Sequence, residues 1–245
     1  MVQIELSVII PAYNVENSII KVIEKLMGIL NKISTYEIIV VNDGSSDNTL
    51  EVLNKFHKNN AFSIITYKKN KGKGHAVKRG IINSKGKFVM YIDGDLDISL
   101  EIIKDYIYEL KNSDIVIASK DHPNSKVITP TSRKILSKLF NIITKIFTNI
   151  RIKDTQVGLK IGDGDLLRKI FQISTIEGFS FDVEFLLIAK LMNAKIHELP
   201  VTINLSSGIP KFMRLKLSAQ MFKDILKISY KYRILKEYQR KLKKI

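Results

Sequence analysis

Residues 36–49 read YEIIVVNDGSSDNT, and dividing that stretch decides the fold. Its first seven residues are a short, apolar, β-branched run, which suits a strand buried on both faces of a parallel sheet. The turn formers Asp43-Gly44-Ser45-Ser46 follow, and Asp47-Asn48-Thr49 caps a helix reaching to about Lys58. Working outward, residues 6–12 (LSVIIPA) are a second such run, followed by helical spacing at Ile19, Ile23, Leu26 and Leu30. Further strands are expected over residues 62–67, 87–93 and 114–119, with helices over 73–83 and 100–111 between them. Repeated βα steps of this kind predict an α/β fold, a doubly wound, mostly parallel sheet with helices on both faces. Ligands then belong at the carboxyl ends of the strands.

The chain has 245 residues, 45% of them hydrophobic, which is enough for a sizeable core and excludes disorder or a small disulfide scaffold. There is no cysteine, so thiolate metal sites and cysteine nucleophiles are excluded as well. No apolar stretch is long enough to span a bilayer, and the first residues lack a signal-like pattern, so a peripheral protein on the cytoplasmic face of the membrane is expected. Forty Lys+Arg against 24 Asp+Glu give a net charge of +16. Residues 211–245 contribute twelve basic and two acidic side chains, which points to an anionic partner: nucleic acid, membrane or phosphorylated substrate. In that tail Phe212, Leu215, Ala219, Phe222, Ile225 and Leu226 fall at helical spacing among lysines, a pattern that suits a membrane interface. No zinc-finger, helix-turn-helix or stacking-platform signature accompanies it, so nucleic acid is not expected. Residues 133–150 form a second basic helix, with Ile135, Leu139, Ile142, Ile146 and Ile150 on one face. So wide a stripe reads as core, although a membrane contact fits the same residues. The division expected is one domain over residues 1–208, with halves 1–120 and 121–208, and a basic helical tail over 209–245.

Polar residues gather where the strands end: Pro11-Ala12-Tyr13-Asn14, Asn42-Asp43-Gly44 and Asp93-Gly94-Asp95-Leu96-Asp97. Three carboxylates at alternate positions repel one another, and a hard divalent cation relieves that repulsion while leaving positions for a diphosphate. Asp93, Asp95 and Asp97 are therefore the candidate ligands of Mg²⁺ or Mn²⁺. Gly72-Lys73-Gly74 lacks the spacing of a P-loop and reads as a tight turn, and the four histidines show no zinc-binding spacing.

The strings SVIIPAYN, VVNDGSSDNT, NKGKGHAVKRG and YIDGDLD, in this order and spacing, resemble the nucleotide-binding half of family 2 glycosyltransferases over residues 6–120. The resemblance implies a GT-A-like nucleotide-diphospho-sugar transferase fold, a UDP- or GDP-hexose donor and a metal on the DxD motif. It places Pro11, Ala12, Tyr13, Asn14, Glu16, Asp43, Gly44, Lys73, Asp93, Gly94 and Asp95 around the donor, with Asp97 as a third metal ligand. Two departures touch the nucleoside end: Val15 stands where many relatives have a first glutamate, whose role is either missing or passes to Glu16, and Asn42 stands where aspartate is common.

Further along, residues 119–123 (SKDHP), 154–160 (DTQVGLK) and 178–184 (GFSFDVE) resemble the subgroup that transfers hexose to polyprenyl or dolichyl phosphate. By that resemblance Lys120 and Arg133 hold the acceptor phosphate, and Asp95, Asp154, Gln156 and Asp182 are catalytic. Lys120 keeps the charge of the arginine frequent there but loses its bidentate fork. Of Asp182 and Glu184, one is expected at the cleft and the other as a helix cap. A lipid phosphate is already anionic and attacks without a general base, so catalysis rests on positioning two anions. The rival reading, a sugar hydroxyl as acceptor, needs a carboxylate base, for which Asp154 or Asp182 would serve.

Overall fold

The computed structural model describes residues 4–58, 62–94, 98–204 and 211–244, with their side chains except at residues 131–133, 135 and 211–216. Strand β1 (Leu6–Ala12) pairs in parallel with β2 (Tyr36–Asn42), from Leu6 opposite Tyr36 to Ala12 opposite Asn42. On its outer side β2 takes β3 (Ser63–Thr66), and β1 takes β4 (Phe88–Ile92), both in parallel. Because strand side chains alternate, these runs feed two cores. Val8, Ile10, Ile38, Val40, Met90 and Ile92 pack on one face with α1 (Ile19–Leu30), whereas Ile9, Ile39, Val41, Val89 and Tyr91 pack on the other with α3 (Lys73–Asn83). Helix α2 (Thr49–His57) begins as its sequence requires, with the Asp47 carboxylate accepting from Thr49 N at 3.0 Å.

Beyond β4 the sheet departs from a simple doubly wound order. Strand β5 (Ile115–Ser119), reached through α4 (Ile103–Glu109), does not lie beside β4. The strand between them is β7 (Leu159–Asp163), antiparallel to both, and the full order is β3-β2-β1-β4-β7-β5-β8, with β8 spanning Ile196–Pro200. The short strands β6 (Lys126–Ile128) and β9 (Thr202–Asn204) pair separately. Helices α6 (Gly164–Ile173) and α7 (Phe181–Leu191) cover the second core.

Helix α5 (Thr131–Thr148) turns its expected core stripe outward: Leu139, Ile142 and Ile146 are 52%, 57% and 62% exposed, while Phe140, Ile143 and Phe147 pack inward. The core reading is thereby corrected for these three residues, while Ile150, the last of the stripe, is buried as expected. The basic segment forms α8 (Lys211–Arg233) and α9 (Glu237–Leu242), and both pack on the domain. Met221, Ile225, Ile228 and Tyr238 are buried, Phe147 and Phe222 meet edge to face at 6.4 Å, and the Tyr238 hydroxyl donates to Glu184 at 2.7 Å. Phe222, Leu226 and Tyr230 stay exposed on the same helix. Residues 205–210, where the domain boundary at 208 is expected, lie outside the described residues.

Candidate active site

The parallel strands deliver the polar residues of their carboxyl ends to one edge of the sheet, where a cavity of about 920 Å³ opens. Its polar lining includes Lys73, at the start of α3, Asp93, just past β4, and Lys120, just past β5. Lys73 Nζ lies 2.5 Å from Asp93 Oδ1. The carboxylate is seated by its neighbour across the sheet: Asp93 N donates to Gly158 O at 3.0 Å, and a Cβ on Gly158 would fall 1.9 Å from Asp93 Oδ2. Only glycine admits the carboxylate at that approach. Asp95 and Asp97, the other members of the acidic cluster, lie outside the described residues.

The expected nucleoside residues form a rim at the adjoining ends of β1 and β2, outside the lining of that cavity, and Ser18 Oγ donates to Gly94 O at 3.0 Å. Several of them hold the rim together. Asn14 Oδ1 accepts from Ser46 N at 2.8 Å, and Glu16 Oε2 accepts from Asn48 N at 2.9 Å, which ties the end of β1 to the end of β2. Asp43 is buried, and its carboxylate accepts from Lys71 N at 2.8 Å, Gly72 N at 2.9 Å and Asn70 Nδ2 at 3.0 Å. The pKa of the Tyr67 phenol is raised, by burial first and by the nearby Asp43 carboxylate next. Asp43 thus shapes the loop that presents Lys73. Gly44 takes a positive φ of 63° to let the backbone of residues 69–70 come close. Pro11 is partly exposed, Ala12 is buried, and Tyr13 is the exposed aromatic of the rim.

In the second half Asp154 and Asp182, both expected to be catalytic, are buried. Asp154 is fully buried: Oδ2 accepts from Lys120 N at 2.9 Å and lies 3.3 Å from Lys120 Nζ, and Oδ1 accepts from Gln156 N at 3.0 Å. It fixes Lys120 and Gln156, both of which line the cavity, and does not line the cavity itself. Asp182, at the start of α7, is buried against Lys160 of β7, with Oδ1 2.7 Å from Lys160 Nζ and 2.5 Å from the Tyr91 hydroxyl that donates to it. Lys160 also donates to Val157 O at 2.7 Å. Burial lowers the Lys160 pKa against the opposing charge of Asp182, and burial together with Asp182 pushes the Tyr91 phenol up. Asp182 therefore meets buried groups and not the cleft, and Glu184 is equally internal, accepting from Thr175 N and Ile176 N at 2.7 Å each. Neither faces the cleft as expected.

Arg133 lies in the first turn of α5, and its side chain is outside the described residues. Asp121 borders the same cavity, its carboxyl pushed up by burial first and by the Asp154 charge next. Two contributors escape sequence reasoning. Lys160 is signalled only by a lysine inside the apolar run LKIGD, and Phe179, which lines the cavity, is signalled by nothing but its place in GFSFDVE. Apolar wall comes from Leu136, Leu139, Phe140 and Ile143 of α5 and Leu217, Met221 and Phe222 of α8, and Lys134 and Lys138 of α5 add positive charge to the same lining.

A mostly parallel sheet with polar strand ends gathered on one cavity is the nucleotide-sugar transferase fold of the GT-A type. Crystal structures of glucosyl-3-phosphoglycerate synthase from Mycobacterium tuberculosis share it. One in complex with Mn²⁺, UDP-glucose and phosphoglyceric acid matches 92% of this chain and 79% of that one, with a TM-score of 0.70 and 18% identity. Another, in complex with UDP, gives a TM-score of 0.71 at 17% identity, covering 92% and 80%. Residues 7–171 match the sequence profile described as Glycosyl transferase family 2, and the chain belongs to that family. Dolichyl-phosphate beta-glucosyltransferase of Dictyostelium discoideum is 34% identical over 94% of this chain and 75% of its own length. The Saccharomyces cerevisiae protein of the same name is 31% identical over the same shares.

Proposed function

We propose that the protein transfers glucose from UDP-glucose to a polyprenyl phosphate of the dolichyl type, working peripherally on a membrane surface. The observation that carries this reading is the cavity, where Lys73, Asp93 and Lys120 face a space whose α5 and α8 walls present Leu136, Leu139, Phe140, Ile143, Leu217, Met221 and Phe222 together with Lys134 and Lys138. A phosphate at the charged end and a prenyl chain along the apolar walls match that division, and the names of the curated relatives supply the sugar and the lipid.

The reaction requires an oxygen of the acceptor phosphate to bond to the anomeric carbon as the bond from that carbon to UDP breaks, with the electron pair leaving on UDP. The nucleophile is already an anion, so this chain need supply no base. That agrees with the state of Asp154 and Asp182: both are buried and paired with lysines, and neither lines the cavity. What the chain must do is hold two anions together. Lys120, fixed by Asp154 through both its amide and its ammonium, offers positive charge to the acceptor phosphate, with Arg133 on the neighbouring helix as its expected companion. Lys73 and Asp93 hold the donor end.

A carboxylate at a strand end, exposed to the cavity, has the hard oxygen chemistry that Mg²⁺ and Mn²⁺ prefer, and Asp93 has that setting. Asp93, Asp95 and Asp97 would hold the cation, which when bound supplies positive charge to the leaving diphosphate.

Membrane contact fits the outward faces of α5 and α8. Leu139, Ile142, Ile146, Phe222, Leu226 and Tyr230 are exposed, with Lys134, Lys138, Lys145, Lys223 and Lys227 exposed on the same helices. Such a surface lies in the interface of an anionic bilayer, each basic residue adding about 1 kcal/mol. Among the described residues no helix is long and apolar enough to cross a membrane. The test is an acceptor panel at fixed UDP-[¹⁴C]glucose and Mn²⁺. Polyprenyl phosphate should take the label while free sugars do not, and labelling of sugar hydroxyls alone would overturn the reading.

A further inference from the structure

The loop between α6 and α7 is held at both ends, yet it presents a large apolar side chain to the cavity. Buried Glu184 pins its start, accepting from Thr175 N, Ile176 N and Thr175 Oγ1 at 2.7 Å each. Its middle is fixed to the donor side, since His75 N of α3 donates to Glu177 O at 3.1 Å and a Cβ on Gly72 would fall 2.5 Å from that oxygen. Its end is fixed to the acceptor side, where Ser180 Oγ donates to Met221 O of α8 at 3.3 Å. Between these ties Phe179 lines the cavity and remains 47% exposed. Phe222 of α8 lines the same cavity and is 41% exposed.

Exposed aromatic surface on a fixed loop is unfavourable in water and becomes favourable when an apolar group covers it. Phe179 belongs to a loop tied both to α3, which carries Lys73, and to α8, which carries part of the apolar wall. A ligand bridging those two regions changes there from phosphate to hydrocarbon.

Resting on the function proposed above, we infer that Phe179 is a specificity-determining residue for the acceptor: its ring packs on the first isoprenoid unit next to the phosphate. It thereby favours a prenyl phosphate over a phosphate without a chain.

The experiment compares kcat/KM for farnesyl phosphate and methyl phosphate in the wild type, Phe179→Ala and Phe179→Leu, with the KM for UDP-glucose measured alongside. Phe179→Ala should reduce the preference for farnesyl phosphate roughly tenfold through the acceptor KM, as expected for losing about half the burial of an aromatic side chain. Phe179→Leu should recover most of that preference, and the KM for UDP-glucose should stay where it was. A preference unchanged in Phe179→Ala overturns the inference. So does a rise in the UDP-glucose KM by the same factor, because the loop would then be acting on the whole site. A wild type that glucosylates neither phosphate overturns the proposed function, and this inference with it.

Discussion

Replacing Asp182 tests whether this family member uses that carboxylate for chemistry or for architecture. The structure places it in a closed group: Lys160 Nζ at 2.7 Å, the Tyr91 hydroxyl at 2.5 Å, and Lys160 in turn on Val157 O. Asp182→Leu leaves the Lys160 ammonium buried without its counter-charge, a change that costs about 3–5 kcal/mol. For a chain of this size each kcal/mol lowers Tm by roughly 2–4 °C, so a fall on the order of 10 °C is expected. In the double variant Lys160→Met/Asp182→Leu no charge is stranded. What remains lost is the hydrogen bond to Val157 O and the one from the Tyr91 hydroxyl, about 1–3 kcal/mol each, and the Tyr91 loss is common to the single and the double variant. Urea denaturation should therefore show the double variant to be more stable than Asp182→Leu alone, an inversion that only a coupled buried pair produces. Transfer activity supplies the second reading. Because Asp182 does not line the cavity, the folded double variant should stay within about tenfold of the wild type, whereas losing a group in the chemistry typically costs 10²–10⁴-fold. A double variant that is stable but loses activity by three orders of magnitude would refute the structural assignment of Asp182.

Other predictions follow from the cavity. Gly158→Ala should abolish donor binding without unfolding the sheet, because its Cβ would fall on Asp93; calorimetry with UDP and Mn²⁺ against circular dichroism separates the two effects. Lys120→Ala should raise the acceptor KM by about 10-fold or more, the scale of a charge-assisted hydrogen bond, with the donor KM unchanged. Asp121→Asn removes a negative group from the acceptor end and should lower the acceptor KM about two- to fivefold at neutral pH. The difference from wild type should shrink as the pH falls and the raised Asp121 carboxyl takes up its proton in the parent. Leu139→Asp/Ile142→Asp should weaken flotation with anionic vesicles while leaving Tm nearly unchanged, since both side chains already face solvent.

The first half of the fold was legible because each strand from β1 to β5 is an apolar run closed by turn formers, and each intervening helix carries a stripe of the right period. Strand β7 was not, because Lys160 and Gly162 interrupt its apolar run and its antiparallel insertion depends on partners far away in sequence. The acidic residues show the same limit. Sequence identifies Asp43, Asp154 and Asp182 as carboxylates near strand or helix ends, but only the fold reveals which donors occupy them. All three are filled by the chain's own amides, ammonium groups or phenol, while Asp93 faces the cavity with Lys73. The α5 stripe was misread as core for a related reason. An apolar helix face has the same spacing whether protein or lipid is to cover it, and α8 packs against the flank of that stripe and leaves its centre open.

The central claim is that one cavity brings a sugar nucleotide and a lipid phosphate together. Its most direct test is incubation of the purified protein with UDP-[¹⁴C]glucose, dolichyl phosphate and Mn²⁺, followed by organic extraction and mass analysis of the extract. The expected product is a chloroform-soluble, mild-acid-labile dolichyl phosphoglucose that disappears when either the cation or the lipid phosphate is omitted. Label that remains in the aqueous phase with dolichyl phosphate present, under conditions where UDP-glucose is shown to bind, would contradict it.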